Sequence, residues 1–300
     1  MTLSLKRGLI IKTSLIIILL ASISAVSLHF FREYKIERGR WLQLEKSIFE
    51  KSENFRGQAC IVIKDYNRGW QIKRNPEIKI AAASIVKIPI MAAILSCQQE
   101  KGFSLCDKVK LKRSDITGGS GILKNQRPGK EFSVKELIEM MVSISDNTAT
   151  NILIKLLGFD FLNSWMKEAG LKNTNISRLM MDMALRDKGI ENYTTAGDIA
   201  LMLDKIYLNR LSDKDASLEC LRILKTQKTR NRIPAKLPKG TVVAHKTGLE
   251  NGVCHDAGIV FTEKGNFLIC VLTGHKNRDS YKSRKFIAAL AEMVYKYYMP

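Results

Sequence analysis

Ser84 and Lys87 stand three residues apart inside the apolar run AAASIVKIPIMAAIL, residues 81–95. Residues at this spacing share a helix face, so the lysine amine can reach back to the serine hydroxyl. A serine hydroxyl is a weak nucleophile, and an amine whose pKa is lowered by crowding and burial can accept its proton. Burying an ammonium in such a stretch is costly unless it snorkels out or faces a polar cleft with partners. Pro89 lacks an N–H and fits the first turn of a helix, which puts Ser84 near the helix N-terminus, where the dipole favours developing negative charge. Two further patterns can serve the same chemistry. Ser145-Asp146-Asn147 lies between two helical patterns and by itself reads equally well as a capped turn. Lys246-Thr247-Gly248 comes late in the strand TVVAHKTGL, where a cation, a hydroxyl and a bare glycine make an edge that a substrate backbone can approach. Each pattern recurs by chance, and only their order and spacing together carry information.

The elements that would position these residues are readable at coarse grain. Gln58 to Lys64 reads as a buried strand, Asn67-Arg68-Gly69 as a turn and Trp70 to Ile72 as the hairpin partner. Near the other end, residues 241–249, 253–262 and 267–273 are three more apolar strands separated by turn residues. Helical patterns fill the middle: 84–99, 133–142, 148–157, 159–169, 195–209 and 217–225, with a last helix from about Ser280 to Met299. Gly158 and Gly170 are expected helix stops, and Ser133 to Glu136 has the form of a capping box. Strands at both ends with helices between them predict an α+β fold, an α/β sandwich: an antiparallel sheet of about five strands flanked by helices, with an inserted all-helical subdomain.

Taken together, S-x-x-K, S-D-N and K-T-G in this order make residues of about 50–300 resemble the class A β-lactamase and penicillin-binding protein superfamily. The segments GGSGIL (118–123) and HDAGIV (255–260) are similar to stretches in relatives of that family. The resemblance implies that Ser84 is the acylated nucleophile and Lys87 its proton acceptor, with Ser145 relaying a proton to the leaving nitrogen. It implies that Lys246 sets positive charge near the substrate carboxylate and that Thr247 donates a hydrogen bond to it. Asn147 would hold the substrate's side-chain amide, Gly248 would admit the substrate backbone, and the backbone N–H groups of Ser84 and Leu249 would form the oxyanion hole. Arg230 and Arg232 are further candidates for carboxylate recognition, although charge on a loop is commonly just solvated.

One part of the pattern is altered. Class A enzymes carry R-x-E-x-x-L-N, whose glutamate activates the deacylating water; here the stretch is Arg178-Leu179-Met180-Met181-Asp182-Met183-Ala184. Met180 replaces the glutamate and Ala184 the asparagine. A thioether accepts no proton, so acylation is expected to survive and deacylation to suffer, with Asp182 as a possible alternative base. Downstream, Glu191 to Thr195 rejoins the family pattern, with Thr194 or Thr195 capping the next helix. Three readings follow: a D-Ala-D-Ala peptidase of the penicillin-binding kind acting on peptidoglycan stem peptides, a β-lactamase with an unusual base, or a β-lactam or muropeptide sensor that stays acylated.

Composition limits location and partners. The 300 residues carry 49 Lys plus Arg against 29 Asp plus Glu, a formal charge of +20, which suits anionic lipid and wall polymer as well as nucleic acid. Thr13 to Phe31 has no Asp, Glu, Lys or Arg, and Lys6, Arg7 and Lys12 precede it. At about 1.5 Å per residue this run approaches the roughly 30 Å of a bilayer core, and the basic flank places the rest outside the cytoplasm. It therefore reads as a transmembrane anchor or as a signal peptide with Ala25-Val26-Ser27 at the cleavage site. The expected layout is 1–12 cytoplasmic, 13–31 anchor or signal, 32–55 linker helix and 56–300 hydrolase domain, monomeric, in the cell envelope, without nucleic acid. Absence of a CxxC pair or a His/Cys cluster argues against a metal, and no cofactor is implied. Cys97 with Cys106 is the most economical local bridge, and Cys60 and Cys270 can equally be buried thiols.

Overall fold

The computed structural model describes residues 2–98, 100–275 and 280–299. Residues 1–48 and 49–300 form two compact units. Helix α1 (Thr2–Glu53) begins in the first and ends in the second, so the 13–31 run and residues 32–53 of the expected linker lie on one helix, which stops two residues short of the expected end. Side chains of residues 2–19, 21, 22 and 25 lie outside those described, and the expected membrane run falls largely on them. Among the described residues no helix is long and apolar enough to cross a membrane.

Along the second unit come β1 (Gln58–Asp65), β2 (Gln71–Arg74), β3 (Ile80–Ala81), α2 (Lys87–Ser96), β4 (Lys108–Lys110), β5 (Glu131–Ser133), α3 (Val134–Ser143), α4 (Asn147–Leu157) and α5 (Phe159–Glu168). They are followed by α6 (Met183–Asp187), β6 (Tyr193–Thr194), α7 (Ala196–Tyr207), α8 (Lys214–Leu224), β7 (Val243–Glu250), β8 (Val253–Val260), β9 (Phe267–Gly274) and α9 (Tyr281–Tyr298). Five strands make one antiparallel sheet, as the strand pattern predicts, and their order is β2-β1-β9-β8-β7. The β1–β9 pairing joins the two ends of the unit, and β7 is left as an edge.

Strands buried on both faces read as continuous apolar runs, and β8 is buried at every residue. Alternate sheet residues, among them Val62, Ala257 and Leu272, join α2, α7 and α8 in the large core cluster. The opposite face packs against α9, which contacts both β8 and β9. Helix α2 is apolar all round and buried from Lys87 to Leu95, as expected of a helix at the centre of a domain. The capping box forms in both directions: Glu136 N donates to Ser133 Oγ at 3.1 Å and Ser133 N to Glu136 Oε2 at 2.6 Å. Thr195 caps α7, and Gly158 and Gly170 both take positive φ at helix ends.

Two expectations change, and five short elements are added to those expected. The helix predicted from Ser84 is a 3-10 turn, Ala83–Val86, leading into α2 at Lys87, with Pro89 still inside the first turn. The two-stranded pairs β3–β6 and β4–β5 and the short α6 carry no readable periodicity at two to five residues each. All six cysteines are free; Cys97 is buried at the end of α2 while Cys106 is exposed, so the expected bridge between them is not formed.

Candidate active site

The nucleophile sits on a strained turn held from two sides. Ala83, immediately before Ser84, has φ of +43°, a conformation a residue with a Cβ rarely adopts. Ala82 N donates to Asn192 O at 2.7 Å. From β8, His255 Nδ1 accepts the Thr273 N–H at 3.2 Å, which leaves the proton on Nε2 to be donated to Ala81 O at 2.9 Å. Burial pushes this imidazole down to about 4, consistent with the neutral ring those bonds require. Strand β7 closes on the same turn. A Cβ on Gly248 would lie 3.1 Å from His255 Cδ2 and 3.2 Å from Ile85 N, so the glycine of K-T-G permits this approach.

Lys87 is wholly buried and uses its three donor directions on the S-D-N turn: Ser145 O at 2.8 Å, Ser145 Oγ at 3.1 Å and Asn147 Oδ1 at 2.9 Å. The expected bond back to Ser84 is not among them, because the turn offers a buried ammonium all the acceptors it can use. Burial first, then the nearby Lys246 charge, hold Lys87 well below the ordinary lysine range, while Asp146 opposes them. Lys246, also wholly buried, donates to Ser145 Oγ at 3.1 Å and to Thr247 O at 2.8 Å, and burial brings it down to about 7. The Ser145 hydroxyl thus lies between two amines, a geometry suited to passing a proton. Ser145 itself has φ of +59°.

The Asp of S-D-N fastens this turn. Asp146 Oδ2 accepts from Ile122 N and Leu123 N at 2.7 and 2.8 Å, and Oδ1 from Ala149 N at 2.9 Å, capping α4. Gly121, at φ +107°, lies so close that a Cβ would fall 2.2 Å from Asp146 Oδ2, which explains the glycine in GGSGIL. Asn147 Nδ2 donates to Gly118 O at 3.1 Å, leaving one amide hydrogen directed elsewhere.

Residues 178–192 form a loop over the cleft. Arg178 makes two bonds to the Glu191 carboxylate, both 2.9 Å, and a third to Glu250 Oε1 at 3.0 Å. Arg186 reaches the same Glu250 oxygen at 3.0 Å. Asn151 of α4 clasps Met180, accepting its N–H at 2.7 Å and donating to its carbonyl at 3.1 Å. Ser84, Asn147, Met180, Met181 and Leu249 share a cavity of about 280 Å³. A larger cavity, about 360 Å³, lies where the β1–β2 hairpin meets α7, but it contains no nucleophile beside a base.

A serine on a strained turn, two depressed lysines sharing a second serine hydroxyl, and a glycine-bearing edge strand make a site for acyl transfer. The Beta-lactamase enzyme family matches residues 43–298 of this chain. The chain belongs to that family. Among curated relatives, β-lactamase VEB-1 of Pseudomonas aeruginosa is 26% identical over 257 residues, covering 80% of this chain and 85% of VEB-1. Among solved structures, a β-lactamase from Sphaerobacter thermophilus superposes with a TM-score of 0.78 at 28% identity, covering 86% of this chain and 97% of that one. PBP-A superposes equally well, at a TM-score of 0.78 and 28% identity, over 85% of this chain and 95% of its own. The protein is accordingly a serine hydrolase of the β-lactamase family with the α+β fold of these neighbours.

Within that family frame the remaining candidates fall in different places. Thr247 is buried, and Leu249 is half exposed on the cavity wall of edge strand β7. Arg230 is exposed and bonds Thr241 O, whereas Arg232 is buried with Nε 3.2 Å from Cys254 Sγ. The Arg232 charge helps lower Lys246 and therefore acts on the site from behind it. Asp182 does not line the cavity; its Oδ1 accepts Leu185 N at 3.0 Å as the cap of α6. Ala184 is exposed on α6 and likewise outside the lining. Sequence reasoning missed Asn151, Glu250 and the buried His245–Asp256 pair, 2.8 Å apart behind Lys246. Only HDAGIV offered a signal, for Asp256.

Proposed function

We propose that the protein forms an acyl-enzyme at Ser84 with β-lactams and with D-Ala-D-Ala peptides of the peptidoglycan stem, and that it is a peptidase of the penicillin-binding type with slow β-lactam deacylation. The observation that carries this is Met180. Its backbone is clasped by Asn151, it lines the cavity beside Ser84, and the carboxylates nearby are otherwise engaged: Glu191 and Glu250, which share the cavity, bind Arg178, and Asp182 caps α6. In this reading Lys87 is the base, Ser145 the relay to the leaving nitrogen, and Lys246 with Thr247 the pair that meets a carboxylate. Backbone N–H groups of Ser84 and Leu249 serve as the oxyanion hole, a contribution worth a few kcal/mol in such enzymes. The likeness to PBP-A supports this reading, while the relatives named as β-lactamases support hydrolysis as the alternative. We place the hydrolase outside the cytoplasm, tethered or released by the 13–31 segment.

Intact-protein mass after exposure to benzylpenicillin, followed over hours, is the test. A single adduct that persists for minutes or longer, and is lost in Ser84→Ala, is the expected result. Steady penicillin consumption with no adduct accumulating would overturn slow deacylation and make the protein a working β-lactamase. An adduct that never clears, with no D-Ala released from stem peptides, would make it a sensor.

A further inference from the structure

Behind Lys246 lies a cluster of buried charged and titratable groups. His245, Lys246, His255 and Asp256 are all fully buried. Asp256 stands on β8 opposite Thr247, next to Ala257, the residue paired with Lys246. Its carboxylate is held from two sides: Oδ1 accepts from His245 Nδ1 at 2.8 Å, and Oδ2 accepts from Ile233 N at 2.9 Å. A carboxylate only accepts, which places the imidazole proton on Nδ1, while His245 Nε2 is buried without a partner among the described residues. A Cβ on Gly258 would lie 2.5 Å from His245 Cβ and 2.3 Å from Ala244 O, so HDAGIV supplies both the aspartate that binds this histidine and the bare glycine that makes room for it.

Lys246 donates to Ser145 Oγ and Thr247 O, neither of them charged. The groups around it are Lys87 of α2, Arg232 ahead of the turn Ile233–Lys236, His255 and Asp256 of β8, and His245 of β7 itself. Asp146, on the S-D-N turn, spends its oxygens on three backbone N–H groups. Burial lowers Lys246, Asp256 opposes that and Arg232 adds to it, leaving the amine at about 7.

The geometry points to Asp256 as a positioning residue of the acylation step: oriented by His245, its carboxylate is the buried counter-charge that keeps Lys246 an ammonium, ready to meet the carboxylate of the acyl donor. This rests on the acyl-enzyme reading above and adds what sustains its carboxylate recognition.

The test is the pH profile of second-order acylation of the full chain by benzylpenicillin and by its methyl ester, which lacks the carboxylate. In the wild type a fall above pH of about 7 is expected with the acid and absent with the ester. Asp256→Asn removes the charge at nearly constant shape. It should move the midpoint of that fall down by about one pH unit or more, the scale of a lost opposite charge, and leave the acid limb set by Lys87 in place. His245→Gln, which keeps a donor for a charged Asp256, should leave the midpoint where it is. Where Asp256→Asn alone does not fold, Asp256→Asn combined with His245→Gln, two amides able to bond each other, removes the same charge and carries the same expectation. A folded variant without the Asp256 charge that loses rate at every pH, with no shift in midpoint, would overturn the proposal and leave the pair as a staple between β7 and β8. An equal shift in His245→Gln alone would also overturn it, assigning the effect to the histidine. So would a wild type that acylates with no alkaline fall, or with the same fall for the ester, while acylation at Ser84 stands. Failure of both penicillins to label a folded wild-type protein would remove the acyl-enzyme reading, and the role of Asp256 with it.

Discussion

Replacing Ser84 by Ala is expected to abolish covalent labelling by a fluorescent penicillin, since the hydroxyl that does lie between the lysines, Ser145 Oγ, is occupied as their shared partner. Lys87→Ala should slow labelling by about 10² to 10⁴, the range a general base supplies, and circular dichroism should show the fold retained. The two lysines also set a pH profile. Burial holds Lys246 at about 7, so it is an ammonium below that pH and an amine above it. Lys87, depressed by burial and by Lys246, must be an amine to accept the Ser84 proton. Acylation efficiency should therefore rise from acid as Lys87 loses its proton, then fall as pH passes about 7 and Lys246 loses the charge that recognises a carboxylate. Lys246→Arg keeps that charge at all accessible pH and should remove the alkaline fall; a fall that persists at the same pH would exclude Lys246 as its source. At Met180, substitution by Glu places a carboxylate where Asn151 already fixes the backbone. Deacylation should accelerate by about ten- to a hundredfold, part of what a general base contributes, with acylation unchanged. Ala184 cannot help hold the water from its exposed place on α6, so this single change is the informative one.

The loop 178–192 and the edge strand β7 act as one mechanical piece because Glu250 at the end of β7 binds both Arg178 and Arg186. The Arg178 side chain is only 4% exposed, so removing a partner leaves a nearly buried charge short of acceptors. Glu250→Gln is expected to lower unfolding free energy by about 1 to 3 kcal/mol in urea denaturation, whereas breaking the exposed Lys108–Glu136 pair should shift it little. This element scale is also where legibility in the sequence stops. The five main strands and the long helices announced themselves through apolar runs, turn residues and a capping box, all of which are local. The three motifs were legible because each packs its chemistry into three or four consecutive residues. Glu250 pairs with a residue 72 positions away and leaves no period or motif to read. Nor does composition reveal positive φ at Ala83, Ser145 and Met181, since those conformations are imposed by what surrounds them. The same cause misdirected the expected Lys87–Ser84 contact: helix spacing brings the two onto one face, but the S-D-N turn, 58 residues further on, supplies the acceptors.

For the whole molecule, a formal charge of +20 and an uncharged segment at 13–31 offer two distinct routes to a membrane, and salt separates them. Attraction between exposed basic residues and anionic lipid is screened within about 10 Å at 0.1 M ionic strength and within about 3 Å at 1 M, so a protein held by charge alone is released by a high-salt wash. An apolar helix in hydrocarbon is not, because salt does not lower the cost of transferring its side chains back to water. The family match begins at residue 43, so the segment can be removed without touching the matched region. The full chain is expected to remain in the membrane fraction after 1 M salt, a wash set by the roughly 3 Å screening length. A chain starting at Trp41 should be recovered in the soluble fraction with its penicillin labelling intact. Release of the full chain by salt would assign attachment to the basic surface. Recovery of a mature protein beginning near Leu28 would instead make 13–31 part of a cleaved signal, leaving the charge of the hydrolase as the one remaining route to an anionic surface.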